Sequence, residues 1–363
     1  MTKIRPIAMY LPQFHPIPEN DKWWGKGFTE WTNVAKARPL FKGHYQPHLP
    51  ADLGFYDLRL PEVREAQAQV ARDCGIYGFC YYHYWFNGKR LLNRPIDEII
   101  ASKQPDFPFM LCWANENWTR VWDGQDKDVL IGQDYSLEDY RSHMEFLCRN
   151  VFYDKRYIKV KGKPIFALYR SDLVPDCFDM TNAWRQIARE NGFPDLYLLK
   201  VESGNDRSDP ALLGFDAAVE FQPNWINLPA RIRSGIIFKI LHKFEMLESP
   251  FKNNSVFNYI DLAEKALCYK IPDYKYYRCI TPSWDNSSRK KKRAHIFINS
   301  TPEAYGKWLD NIVQIFKPYS EEENFIFINA WNEWGEGNHL EPCQKWGTEY
   351  LKATMKILKG YTS

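Results

Sequence analysis

Eight short apolar runs, each separated from the next by a longer stretch, constrain this chain more than any other feature. Runs rich in β-branched and aromatic residues that alternate with segments of helical periodicity are the mark of βα units around a buried parallel sheet. The runs span residues 4–11, 78–85, 109–114, 164–169, 196–201, 217–222, 276–282 and 325–330. Helical periodicity occupies 61–73, 96–102, 137–149, 181–191, 260–268, 301–316 and 345–358. Thr301-Pro302-Glu303 reads as an N-cap with proline at the first helical position, and Asn191-Gly192 as a helix stop. Eight such strands predict an α/β chain of the (β/α)8 TIM-barrel class. An open doubly wound sheet is the competing architecture, but it usually carries a glycine-rich phosphate loop after its first strand. Here that place holds Pro12-Gln13-Phe14-His15-Pro16, with no glycine.

At 363 residues the length fits one large barrel or two ordinary domains. The alternation runs through most of the chain, so one catalytic barrel over 1–363 is expected, with barrel-mouth insertions near 16–60 and 223–259. In the second insertion Arg231, Arg233, Lys239, His242 and Lys243 stand among Ile232, Ile236, Ile237, Phe238, Ile240, Leu241 and Phe244. Such a basic amphipathic pattern serves either peripheral membrane contact or packing on the barrel. No run reaches the ~18 apolar residues that cross a bilayer. The opening residues lack an apolar stretch with a small-residue cleavage site, and the eight cysteines show no C-x-x-C or metal-ligand spacing. Both features point to a cytoplasmic protein with free thiols. A net charge of +3 provides no field for nucleic acid, so no nucleic-acid partner is expected. The oligomeric state is left open.

The aromatic content is 16%, with 14 Trp, 22 Tyr and 23 Phe. Flat rings with a polar edge suit the C–H faces of sugars, and they equally suit an aromatic core. Active sites of (β/α)8 barrels lie at the C-terminal ends of the strands, so the candidates are the residues at and just beyond the end of each run. The first run leads from Tyr10 to Gln13 and His15; the second ends in Tyr81-Tyr82-His83-Tyr84-Trp85; the third leads into Trp113-Ala114-Asn115-Glu116-Asn117-Trp118. Later ends supply Tyr169, Arg170, Glu202, Glu220, Gln222, Trp284 and Asp285. The last run enters Asn332-Glu333-Trp334-Gly335-Glu336-Gly337, two carboxylates among tryptophans and glycines. Glycoside cleavage needs one carboxyl group to protonate the leaving oxygen and a second to assist at the sugar. Glu333 and Glu336 are therefore the expected catalytic residues, with Tyr10, His83, Tyr84, Trp85, Trp113, Asn115, Glu116, Trp284, Asn332 and Trp334 expected to bind an oligosaccharide or polysaccharide. No cofactor and no metal is expected. Asp126-Lys127-Asp128 has the D-x-D form that holds a metal in nucleotide-sugar transferases, a three-residue match that also occurs in solvated loops. The run Arg289-Lys290-Lys291-Lys292-Arg293 is either a solvated loop or a binding place for substrate phosphate.

Four separated motifs carry a family resemblance: residues 8–16, Gly27-Phe28-Thr29-Glu30-Trp31, residues 113–118 and residues 332–337. In their order they resemble the WbsX-type proteins, which are found with bacterial surface-polysaccharide biosynthesis and are related to glycoside hydrolase family 99. The resemblance implies a (β/α)8 barrel that cleaves α-mannosidic bonds internally with retention, without metal, through a 1,2-anhydro sugar. It implies that Glu333 deprotonates the sugar 2-hydroxyl, that Glu336 is the acid/base, and that Tyr10 positions the sugar. The WbsX name has also been attached to a transferase role. Three functions are compatible with these features: a retaining glycosidase or transglycosidase acting on a bacterial surface polysaccharide or its precursor, a nucleotide-sugar glycosyltransferase of O-antigen or capsule biosynthesis, and a non-catalytic glycan-binding barrel.

Overall fold

Each apolar run becomes one strand of a closed parallel sheet. The computed structural model describes residues 3–120, 125–233, 249–290 and 292–361. The strands are β1 (Arg5–Tyr10), β2 (Gly78–Phe86), β3 (Phe109–Trp113), β4 (Lys163–Leu168), β5 (Tyr197–Val201), β6 (Ala217–Val219), β7 (Tyr276–Tyr277 and Cys279–Ile280) and β8 (Phe325–Ile328). They pair in sequence order, and β8 returns to β1, as a (β/α)8 barrel requires. Every residue of β2 is buried, because one face lines the barrel and the other meets the helices.

Closure happens inside β7. Tyr276–Tyr277 pairs with β6 and Cys279–Ile280 with β8, so the strand changes partner at Arg278. The Arg278 guanidinium is buried against Glu220 at 2.6 Å, and the same carboxylate accepts the Cys279 N–H at 3.1 Å. A buried charge pair with its remaining valences satisfied specifies register. Glu220, which the sequence places at a strand end near the mouth, is therefore a closure residue.

The helices of seven residues or more are α1 (Pro18–Trp24), α2 (Glu30–Lys36), α3 (Pro61–Asp73), α4 (Arg94–Ser102), α5 (Leu137–Asn150), α6 (Cys177–Glu190), α7 (Tyr259–Leu267), α8 (Pro302–Ile315) and α9 (Glu349–Leu358). The Thr301 hydroxyl caps α8 by accepting the Ala304 N–H at 3.1 Å, and Gly192 takes a left-handed φ of 87° just past α6. Between β5 and β6 a single 3-10 turn, Pro210–Leu213, stands where a helix would be.

The 16–60 insertion supplies α1 and α2, then comes back to the barrel through the Leu58 N–H bond to the Phe14 carbonyl. In the second insertion Ser255–Asn258 pairs with His295–Ile298 as a small parallel sheet apart from the barrel. Most of the basic amphipathic segment (234–248), Lys291 and the side chains of Asp126 and Asp128 lie outside the described residues. Among the described residues no helix is long and apolar enough to cross a membrane.

Candidate active site

Side chains alternate across a strand, so β2 sorts its aromatic residues into two sets. His83 and Trp85 face α5: the His83 and His143 rings stack, and the Trp85 indole donates to Asp139 at 2.8 Å. Tyr82 and Tyr84 take the opposite parity and face the barrel interior, where Glu333 raises the pKa of both hydroxyls on top of the effect of burial. Tyr169, just beyond β4, meets Tyr82 edge-on at 5.8 Å and feels the charges of Glu116, Glu336 and Glu333.

The catalytic candidates come from a short hairpin after β8. Asn332–Glu333 pairs with Asn338–His339, and the 3-10 turn Trp334–Glu336 joins them before Gly337, whose φ is 56°. In 3-10 geometry residues three apart eclipse, which puts Glu333 and Glu336 on one side of the turn. The Asn332 amide bonds both the N–H and the carbonyl of Leu11, at 2.7 and 3.1 Å, and so fastens the hairpin to the end of β1.

Arg289, in the loop after β7, joins three carboxylates. Its Nε lies 2.9 Å from Glu30 Oε1, its Nη2 2.8 Å from Glu333 Oε2 and its Nη1 2.9 Å from Glu336 Oε1. Glu30 is fully buried at the start of α2, and Glu333 is 6% exposed. Burial raises the pKa of both hairpin carboxylates while Arg289 opposes it, and Glu333 ends at about 8. One guanidinium facing three acids cannot neutralise them all, so near neutral pH the cluster retains a proton. Glu30 approaches so closely over Gly335 that a Cβ there would collide with its Oε1 and lie 2.7 Å from Arg289 Nε. A cleft of about 160 Å³ beside Tyr84 is flanked by Trp24 and Trp118.

Several expected binding residues sit elsewhere. The Tyr10 hydroxyl donates to Gln67 of α3 at 2.6 Å and is 1% exposed, so it faces the helix layer and no sugar reaches it. His83, Trp85 and Trp113 form a core cluster around His143; Trp113 is fully buried against His143 and Trp184. Trp334 is buried over His339, with rings 3.7 Å apart, and its indole donates to Glu341 at 2.7 Å. These four aromatic residues and Tyr10 supply packing, because strand parity or the hairpin turn directs them away from the cluster. Asn115 and Asn332 are also fully buried and act as backbone clamps; the Asn115 amide donates to the Arg170 carbonyl at 2.8 Å. Glu116, half exposed, pairs with Arg170 at 2.6 Å. Trp284 lines a separate cavity of about 370 Å³. Among the described residues no three His, Cys, Asp or Glu side chains form a metal-binding group.

Glu30 and Arg289 had no expected role in the site, and Tyr82, although among the strand-end candidates, was not expected to bind substrate. Glu30 carried a signal as a lone acid between Phe28 and Trp31, and Tyr82 could have been found from its parity with Tyr84. Arg289 had none, being one of five consecutive basic residues.

The chain belongs to the family described as Glycosyltransferase WbsX, which matches residues 6–354. Uncharacterized protein WxcX of Xanthomonas campestris pv. campestris (strain B100) is 42% identical over 356 residues, covering 97% of this chain and 49% of that protein. WxcX from a second strain of the same pathovar matches to the same extent. The chain spans about half the length of the curated relatives it matches. Among solved structures, the GH99 endo-alpha-mannosidase from Bacteroides thetaiotaomicron superposes with a TM-score of 0.58 at 12% identity, covering 99% of this chain and 98% of that one. A glycoside hydrolase-like protein superposes with a TM-score of 0.57, also at 12% identity, covering 98% and 94%. At such identity the likeness is one of fold.

Proposed function

We propose that this chain is a retaining glycoside hydrolase or transglycosidase, acting on a bacterial surface polysaccharide or its precursor, with Glu333 and Glu336 as its catalytic pair. The observation that carries the reading is the meeting of these carboxylates with Glu30 and Arg289 at the C-terminal rim of the barrel, beside Tyr82, Tyr84 and Tyr169. In this reading Glu333 removes the proton of the sugar 2-hydroxyl as O2 attacks the anomeric carbon. Glu336 protonates the departing glycosidic oxygen, and a 1,2-anhydro sugar forms. Glu336 then takes a proton from water or from an acceptor hydroxyl, which opens the three-membered ring at the anomeric carbon while Glu333 returns its proton to O2. Hydrolysis and transfer differ only in that acceptor.

In the ligand-free cluster Glu333 holds its proton up to about pH 8. The reaction needs that proton on Glu336, and the two carboxylates share one guanidinium through which their charges are coupled. A substrate 2-hydroxyl that donates to Glu333 favours its ionised form and leaves the shared proton to Glu336. Glu333→Gln and Glu336→Gln should each lower turnover by about 10²–10⁴-fold with the fold intact, as general acid–base groups do. The assay is product analysis on a panel of surface oligosaccharides, with and without an acceptor sugar. Unchanged turnover in both variants removes the reading, and binding without any product leaves a glycan-binding barrel. The family's description keeps a glycosyltransferase as the second reading; turnover that requires a nucleotide-sugar donor would establish it.

A further inference from the structure

The cavity of about 370 Å³ lies between the loops that follow β7 and β8, roofed by residues of the 16–60 insertion. Its charges do not balance. Lys42 and Lys345, both exposed at its edge, meet no carboxylate among the described residues. Asp285 is the acid that lines it, and that carboxylate already accepts His44 Nε2 at 2.6 Å, Gln46 Nε2 at 2.9 Å and the Ser287 N–H at 2.9 Å. Trp284 is 4% exposed, and its indole N–H has no partner among the described residues. The Lys345 amine stands 4.3 Å over the ring of Tyr45 and 4.8 Å from that of Trp346, which leaves flat aromatic surface beside a cation.

We infer that this cavity binds the phosphate of a phosphate-bearing saccharide, with Lys42, Lys345 and the Trp284 N–H facing the anion and Tyr45 and Trp346 packing on the attached ring. Three physical points support it. Lysine binds phosphate as a compact point charge, without needing the bidentate geometry of an arginine fork. Barrels of this class frequently bind phosphate between the loops after strands 7 and 8. The volume falls within the range of small-ligand sites, roughly 300–1,000 Å³. Partial desolvation lowers the pKa of Lys345, a penalty that a neighbouring anion would offset. The cavity also abuts the catalytic turn, since Gly337 forms part of its wall and the Asp285 N–H donates to the Glu336 carbonyl at 2.6 Å. The phosphate would sit just behind Glu336, the proposed acid/base. Binding itself does not depend on that reading; only the saccharide attached to the phosphate does.

Calorimetry on the full chain tests it with inorganic pyrophosphate, and with glucuronate as a carboxylate control. Pyrophosphate should bind, glucuronate should bind more weakly by about tenfold or more, and the Lys42→Ala/Lys345→Ala double variant should weaken pyrophosphate about tenfold or more. Glu333→Gln should bind pyrophosphate as the wild type does, so loss of turnover and loss of phosphate binding are read separately. Absence of pyrophosphate binding, or equal binding by wild type and double variant, overturns the inference. Uridine diphosphate binding more tightly than pyrophosphate would assign a nucleotide source; geranyl diphosphate doing so would assign a lipid-linked one.

Discussion

At the scale of single residues, the site depends on how tightly one guanidinium and three carboxylates pack. Glu30 reaches Arg289 because residue 335 has no side chain. Gly335→Ala should displace Glu30, release Arg289 from one partner and destabilise the protein by about 1–3 kcal/mol, the usual effect of overpacking a filled interior. Turnover should fall with it, while Glu333 and Glu336 themselves are untouched. Thermal unfolding and a rate assay on the same preparation measure both effects, and a variant equal to wild type in each would contradict the close approach. Glu333 and Glu336 were legible in the sequence because two acids stood three apart between tryptophans and glycines. Arg289 was not, because nothing in a run of five basic residues marks the one whose side chain folds inward.

At the scale of the element, strand parity decides which aromatic residues face the carboxylate cluster. Tyr84 faces the cluster and Trp85, its neighbour, faces α5. Tyr84→Phe should lower kcat/KM and leave stability nearly unchanged. Trp85→Phe should do the reverse: loss of the bond to buried Asp139 costs about 1–2 kcal/mol, with catalytic constants unaffected. The two variants compared side by side, by kinetics and by denaturant unfolding, check the assignment; equal kinetic effects would refute it. All eight strands fall within the runs read from the sequence, to within a residue or two at their ends. Parity within a run was equally available, but which parity points inward depends on how the sheet curls, and that is a property of closure.

Across the whole molecule, buried titrating groups set the pH range of stability. Burial lowers the pKa of six histidines: His15, His48 and His295 to about 4, His83 to about 3, and His143 and His339 well below the usual value. Between about pH 6.5 and 4 the unfolded chain binds protons at these positions that the folded protein refuses, so stability falls as pH drops through that window. Glu333, raised to about 8, and Glu341, raised to about 7, act in the opposite sense. The folded protein keeps their protons above pH 4.5, where the unfolded chain has released them, so stability is lost as pH rises toward 8. Burial also raises Glu336, Asp139 and Glu202 in that same sense; below pH 6.5 the six histidines outnumber these five carboxyls, and above it Glu333 and Glu341 set the sign. The Tm should therefore peak near pH 6.5–7 and decline on both sides, steeply toward acid. A scan of Tm against pH checks it, and a Tm that keeps rising from pH 7 to 8 would show that Glu333 and Glu341 ionise freely.

The order and number of barrel strands, the helices that follow them, and the acids on the final hairpin are local matters of hydrophobic period, capping and turn chemistry, and the amino-acid sequence by itself determined them; the short helices α1 and α2 of the first insertion, which lack a long apolar period, it did not show. The partners of those acids were decided only in three dimensions. Glu30 is separated from Arg289 and Glu333 by hundreds of positions along the chain, and only closure of the sheet through β7 brings the loops after β1, β7 and β8 to a common rim. Burial at that rim then raises the pKa of Glu333 and Glu336, because removing water raises the energy of an ionised group.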